Sequence, residues 1–176
     1  MKKILLLLMF VPTLLFSQEE EIFSFSVQDG NLIWQKIFET ELSFDDVVSN
    51  IRQSGAIPNA EVTDDKIIGQ TRLIDADIKG AGYKPFSVAI YINRNFYECF
   101  ATIEYKEGRY RVTLKNITMI QKYDDPMGVE GQRERIELYT IGGDGMKRSF
   151  VKKPAEILDY TFTKLFTIKE QPNDDW

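Results

Sequence analysis

The chain has no histidine and a single cysteine, Cys99, among its 176 residues. Without histidine there can be no Ser–His or Cys–His nucleophile pair, and both the commonest general base and the commonest zinc ligand are missing. One cysteine cannot close an intrachain disulfide, and it leaves a structural zinc site short of ligands. Its thiol has no neighbouring base to activate it, so Cys99 reads as a buried, inert side chain. Positive charge is also in deficit. There are 22 lysines and arginines against 27 aspartates and glutamates, a net charge of −5. Such a chain repels phosphate backbones and anionic membrane surfaces, so nucleic acid is not an expected partner.

A long apolar run is missing too. The best one, Ile4 to Phe16, holds thirteen residues and is interrupted by Pro12, whereas a spanning helix needs about 20. Preceded by Lys2 and Lys3, it has the charged start and apolar middle of a signal peptide. Cleavage is expected after Ser17, leaving Gln18 first, in a periplasmic or secreted product without a transmembrane span. Losing Lys2 and Lys3 takes the net charge from −5 to −7. Residues 18–176 then read as one α+β domain, with flexible ends at 18–22 and 170–176.

What the chain does have is hairpin pattern. Phe96 to Ile120 places two aromatic and β-branched runs around Glu107-Gly108, and the glycine can take positive φ without steric cost. A two-residue loop sets Tyr105 opposite Tyr110, Ile103 opposite Val112 and Ala101 opposite Leu114 on an apolar face. The other face pairs Glu104 with Arg111, Thr102 with Thr113 and Phe100 with Lys115. One apolar face and one polar face mean an antiparallel sheet covered on one side only.

Upstream, Phe23, Phe25 and Val27 alternate with polar residues. Asp29-Gly30-Asn31 turns the chain into a returning strand from Leu32 to Glu39. Ser43 then caps a helix whose first turn carries Asp45 and Asp46, and Phe44, Val47, Val48 and Ile51 form its apolar stripe. Gly55 and Pro58 end it. Lys66 to Ile74 reads as a strand in which Gly69 marks a bulge or a close backbone approach. Phe86 to Ile92 reads as a further strand, with Asn93-Arg94-Asn95 turning into the main hairpin. After Ile120 the signals weaken, and Arg135 to Ile141 fits an edge strand or a helical turn. Pro154 opens a last helix with Leu158, Thr161, Phe162, Leu165 and Ile168 on one face.

Chemistry would have to rest on carboxylates, and the candidates fail individually. Asp75-Ala76-Asp77-Ile78-Lys79-Gly80 opens like a calcium loop, but Lys79 occupies an oxygen-ligand position and Phe86 stands where the bidentate glutamate belongs. Asp64-Asp65, Asp124-Asp125 and Asp174-Asp175 are adjacent pairs in polar loops, where solvation explains them. Gly142-Gly143-Asp144-Gly145 before Lys147-Arg148 lacks the spacing and flanking elements of a phosphate loop. No catalytic residue, metal ligand or cofactor is assigned. Aromatic residues are the better clue: Trp34, Tyr91, Phe96 and Phe100 are candidates for a patch on the open sheet face, which would meet a partner or ligand.

Val27-Gln-Asp-Gly-Asn-Leu-Ile-Trp-Gln-Lys-Ile-Phe38, the Ser43 helix, Lys66-Ile-Ile-Gly69 and Gly108-Arg-Tyr-Arg-Val-Thr-Leu-Lys-Asn-Ile117 follow one another in a recognisable order. Together with the leader they resemble a bacterial family of small exported proteins of unknown function. The domain of that family has a fold like the TATA-binding protein. The likeness covers roughly residues 23–120 and implies a two-layer α+β domain, a curved antiparallel sheet with helices packed on one face. It brings no site residues and does not imply DNA binding, because function lives in sites and not in folds. The expectation is an exported, non-catalytic binding module of the cell envelope that uses the open sheet face or the concavity between sheet and helices, its partner an unidentified envelope protein or small ligand. The competing expectation, a carboxylate-dependent hydrolase of envelope or extracellular polymers, needs two acids about 5–10 Å apart with one pKa raised.

Overall fold

A computed structural model describes residues 22–126, 128–143 and 145–168. The leader and the Ser17–Gln18 cleavage position lie outside the described residues, as do 18–21 and 169–176. The first hairpin joins β1 (Phe25–Gln28) to β2 (Asn31–Glu39). Asp29 and Gly30 form its turn, both with positive φ. Helix α1 (Phe44–Ser54) carries the expected capping box: Ser43 Oγ accepts from Asp46 N–H while the Asp46 carboxylate accepts from Ser43 N–H, and Gly55 closes the helix in the left-handed region.

Two short strands follow, β3 (Glu61–Val62) and β4 (Lys66–Gln70), and then β5 (Ile74–Asp75). The single strand expected over Lys66 to Ile74 is therefore broken at Thr71–Leu73. There Thr71 N–H bonds to Cys99 C=O at 2.9 Å and Arg72 N–H turns away to Ala56 C=O at 3.0 Å. Phe86 to Ile92 is not a strand either. Pro85–Ser87 forms a 3₁₀ turn and Ile90–Arg94 forms the short helix α2. Tyr91 and Ile92 are both buried, and neighbours on one side of the chain fit a helical turn and not the alternation of a strand.

The long hairpin is built from β6 (Asn95–Lys106) and β7 (Arg109–Gln121) around Glu107-Gly108. All six cross-strand pairs read from the sequence occur in that register. Beyond Phe100 the ladder shifts by one residue, so that Cys99 faces two residues of β7, Asn116 and Ile117. Asn116 has a φ of 51°, which asparagine tolerates better than most non-glycine residues. The bulge keeps Ile117 and Met119 on the inner face with Leu114.

Further on come β8 (Arg133–Arg135), α3 (Glu137–Thr140), β9 (Ile141–Gly142), β10 (Gly145–Met146), α4 (Arg148–Val151) and α5 (Lys153–Phe166). Arg135 to Ile141 thus divides into the end of an edge strand and a helical turn. Eight strands make one antiparallel sheet ordered β1-β2-β7-β6-β4-β3, with β5 on β6 and β8 on β7.

Both longer helices lie on the same face of this sheet. Phe44, at the start of α1, meets the Tyr105 ring at 5.6 Å, and Tyr105 Oη donates to Leu42 C=O. On the other side, α5 sets Phe162 edge-on to Trp34 at 5.6 Å and Phe166 over it at 6.4 Å. The result is a two-layer α+β fold whose core lies between the sheet and its helices.

Candidate functional site

A broad concavity lies at one end of the helix layer, between the last turns of α1 and α5. Its volume is about 730 Å³. Asn50, Gln53 and Ser54 of α1 form one wall, Lys164, Leu165 and Thr167 the other, and Arg72, Ile74 and Asp77 line it from the broken strand.

Each wall is held by contacts that the sequence determines. The exit of α1 is fixed by Arg72 N–H on Ala56 C=O and by a close passage of β4. At Gly69 an added Cβ would lie 2.6 Å from Ile57 Cγ2 and 3.2 Å from Asn59 O, closer than ordinary packing permits. The Asp77 segment is tied to α5 twice: Asp77 N–H donates to Thr161 Oγ1 at 2.9 Å, and Lys164 Nζ donates to Asp77 Oδ2 at 2.7 Å. The end of α5 is pinned by the buried Tyr110 hydroxyl, which donates to Phe166 C=O at 2.7 Å and accepts from Ile168 N–H at 3.3 Å. Removing that hydroxyl in Tyr110→Phe strands a buried carbonyl, so a loss of about 1–2 kcal/mol is expected in urea unfolding. Faster amide exchange at Thr167 and Ile168 should accompany it.

Both carboxylates in the cleft already have lysine partners, Asp75 with Lys122 at 2.5 Å and Asp77 with Lys164. The Lys164 hydrogen bond, followed by that of Gly80 N–H, holds the Asp77 carboxyl below the usual aspartate range. Its folded value is the lower one, so its stabilising contribution is present above the unfolded pKa and is lost as pH falls through the folded one. A carboxyl NMR titration should therefore place Asp77 below ordinary aspartates, and Lys164→Met should bring it back up. Among the described residues no three His, Cys, Asp or Glu side chains gather as a metal site, and no helix is long and apolar enough to cross a membrane.

The four aromatics proposed from sequence do not form one patch. Trp34 is fully buried on the helix-covered face, its indole N–H donating to Asp159 Oδ1 at 2.8 Å. Pairing with Phe25 puts it inward; Ile33, Gln35 and Ile37 of β2 face the other way. Tyr91 is also buried, on α2, its ring 5.1 Å from Tyr139 and its hydroxyl without a partner among the described residues. It borders a cavity of about 60 Å³, room for a water or two. Only Phe96 and Phe100 belong to the open face. Phe96 is half-buried under Lys122, whose Nζ is 5.1 Å from the ring centroid, and Phe100 is 39% exposed. Around them the open face carries polar pairs beside the exposed Ile37: Glu104 accepts from Arg111, Arg133 pairs with Glu98, and Gln35 donates to Thr113.

Cys99 is fully buried and burial pushes its thiol far up, in keeping with an inert side chain. The sequence offers a concavity between sheet and helices as a candidate surface but assigns no residues to it. The cleft is assembled from residues 50–54, 72–77 and 161–168, and the one pattern that touches these stretches, the calcium-like opening at Asp75, does not point to it.

Two solved structures resemble the chain. A DUF4468 family protein from Bacteroides ovatus covers 85% of this chain and 94% of its own length, with a TM-score of 0.46 and 15% identity. A TBP-like protein from Parabacteroides distasonis covers 80% of this chain and 93% of its own, with a TM-score of 0.47 and 13% identity. No protein-family model and no curated protein matches the sequence. The neighbours are of the kind that the sequence resemblance named, bacterial, one from a DUF family and one TBP-like. Nothing about the cleft follows from them, and its reading rests on the residues of this chain.

Proposed function

We propose that the chain is an exported, non-catalytic binding module of the bacterial cell envelope, with the cleft between α1 and α5 as its ligand site. The observation that carries this is the cleft's make-up: a volume of about 730 Å³ in which apolar Ile51, Ile74, Leu165 and Ile168 alternate with hydrogen-bonding side chains. Sites for small ligands have this size and this mixture, mostly apolar surface with a few polar groups that orient the guest. Export is supported by Lys2-Lys3 and the apolar run to Phe16. A carboxylate-dependent hydrolase finds little support here. Asp77 is held ionised by its lysine, the reverse of the raised acid that such chemistry needs.

Native mass spectrometry of the protein recovered from an envelope fraction tests both halves. The expected species begins at Gln18 and carries a discrete added mass of small-molecule size. A chain that keeps its first residues and stays in the cytoplasm would overturn export. A bare chain would overturn the small-ligand reading, and a bound polypeptide would move attention to the open sheet face around Phe100.

A further inference from the structure

We infer that the cleft takes a small amphipathic carboxylate, its charged end on Arg72 and its apolar body against Ile51, Ile74, Leu165 and Ile168. This rests on the reading of the cleft as the ligand site. Four charged side chains line the space: Arg72, Lys164, Asp75 and Asp77. Three are engaged, Lys164 with Asp77 and Asp75 with Lys122 from outside the lining. Of the four, Arg72 alone has no side-chain partner among the described residues; it is exposed, and its backbone N–H is used on Ala56. An uncommitted guanidinium in this cleft, on an acidic protein, is a local preference for an anion.

The charge inventory also says which anion. A carboxylate carries one negative charge and matches the flat guanidinium fork through two parallel hydrogen bonds. A phosphate monoester carries about −1.5 to −2, so most of the excess would stand uncompensated beside Asp75 and Asp77. The carbonyl ends of α1 and α5 also face this region and disfavour anions. That effect is weak at screened, exposed helix ends, and a direct guanidinium–carboxylate contact outweighs it. The apolar surface needs an apolar body, and either an acyl chain or the C-terminus of an apolar peptide supplies both parts.

The test titrates the ¹⁵N-labelled protein with octanoate, N-acetyl-Leu-Leu, octanamide and octylamine, reading amide shifts. Octanoate or N-acetyl-Leu-Leu should move the amides of Ser54, Arg72, Ile74 and Leu165. The better of the two should bind roughly tenfold or more tighter than octanamide, the worth of one charge-assisted hydrogen bond. Arg72→Ala should abolish that advantage and Arg72→Lys should restore part of it. The side chain has no partner to lose, and a dispersed spectrum confirms the fold of each variant. Preference between the two carboxylates distinguishes the acyl from the peptide source. If octanamide or octylamine binds as well as octanoate, or Arg72→Ala changes nothing, the carboxylate assignment is overturned while the cleft remains a binding site. If no probe moves cleft amides, the site reading itself fails.

Discussion

Trp34→Ala should destabilise the domain by about 3–5 kcal/mol, the range for removing a large buried aromatic side chain. Trp34 is fully buried, meets Phe162 and Phe166, and gives its N–H to Asp159. The same carboxylate, with Thr163, receives Lys36 Nζ, so β2 grips one face of α5 through a ring contact and a polar clasp. Alanine removes the ring from between strand and helix and leaves Asp159 with the lysine alone. For a chain of this size each kcal/mol lowers the melting temperature by about 2–4 °C, so the transition should fall by about 6–20 °C. Trp34→Phe should lose far less, since the ring packing survives and only the N–H donor goes. Phe100→Ala should stay within about 0.5 kcal/mol of wild type, as exposed positions do. Comparable melting temperatures for Trp34→Ala and Phe100→Ala would contradict the placement of Trp34 in the core.

Gly69→Val is expected to cost about 3 kcal/mol, the upper end for overpacking a filled site. The first added carbon already meets Ile57 Cγ2 at 2.6 Å and Asn59 O at 3.2 Å. Ile57 could turn its side chain, but Asn59 offers a backbone oxygen that cannot. The strand would have to move away from the segment following α1, and the α1 wall of the cleft would shift with it. Gly69→Ala should show a smaller loss of the same sign. A neutral Gly69→Val in chemical denaturation would mean that β4 and the α1 exit are not packed as described.

Much of the fold was legible because short-range chemistry fixes it. Glu107-Gly108 determines the register of the long hairpin, and Ser43, Asp46 and Gly55 mark both ends of α1. Gly69 announced a close approach, and Ile57 provides it. Where reading failed, the local signal was degenerate. Phe86 to Ile92 is a short apolar run, for which periodicity cannot separate strand from helix. Pro85 starts a 3₁₀ turn there, and Asn95 Nδ2 donates to Tyr91 C=O to close the helix that follows. Trp34 was misplaced because β2 is apolar on both faces, with Leu32 and Trp34 inward and Ile33 and Ile37 outward. Pairing of β1 with β2, which sets Phe25 opposite Trp34, decides between them. The bulge at Cys99 depends on Asn116 taking a left-handed conformation, which the alternation of the strand does not reveal. The cleft was least legible of all. Its walls come from segments about 20 and 90 residues apart, and they meet through long-range bonds that no local pattern announces, such as Arg72 N–H to Ala56 C=O and Asp77 N–H to Thr161 Oγ1.

The most direct test of the proposed ligand site in the cleft is site-specific photo-crosslinking in the native cell. A photoreactive side chain is placed either at Gln53 on the cleft wall or at Lys115 on the open sheet face. The intact mass of the recovered protein is then read. A small-molecule adduct from position 53 and none from position 115 is the predicted result. An adduct from position 115 alone would contradict the account and move the site to the opposite side of the sheet.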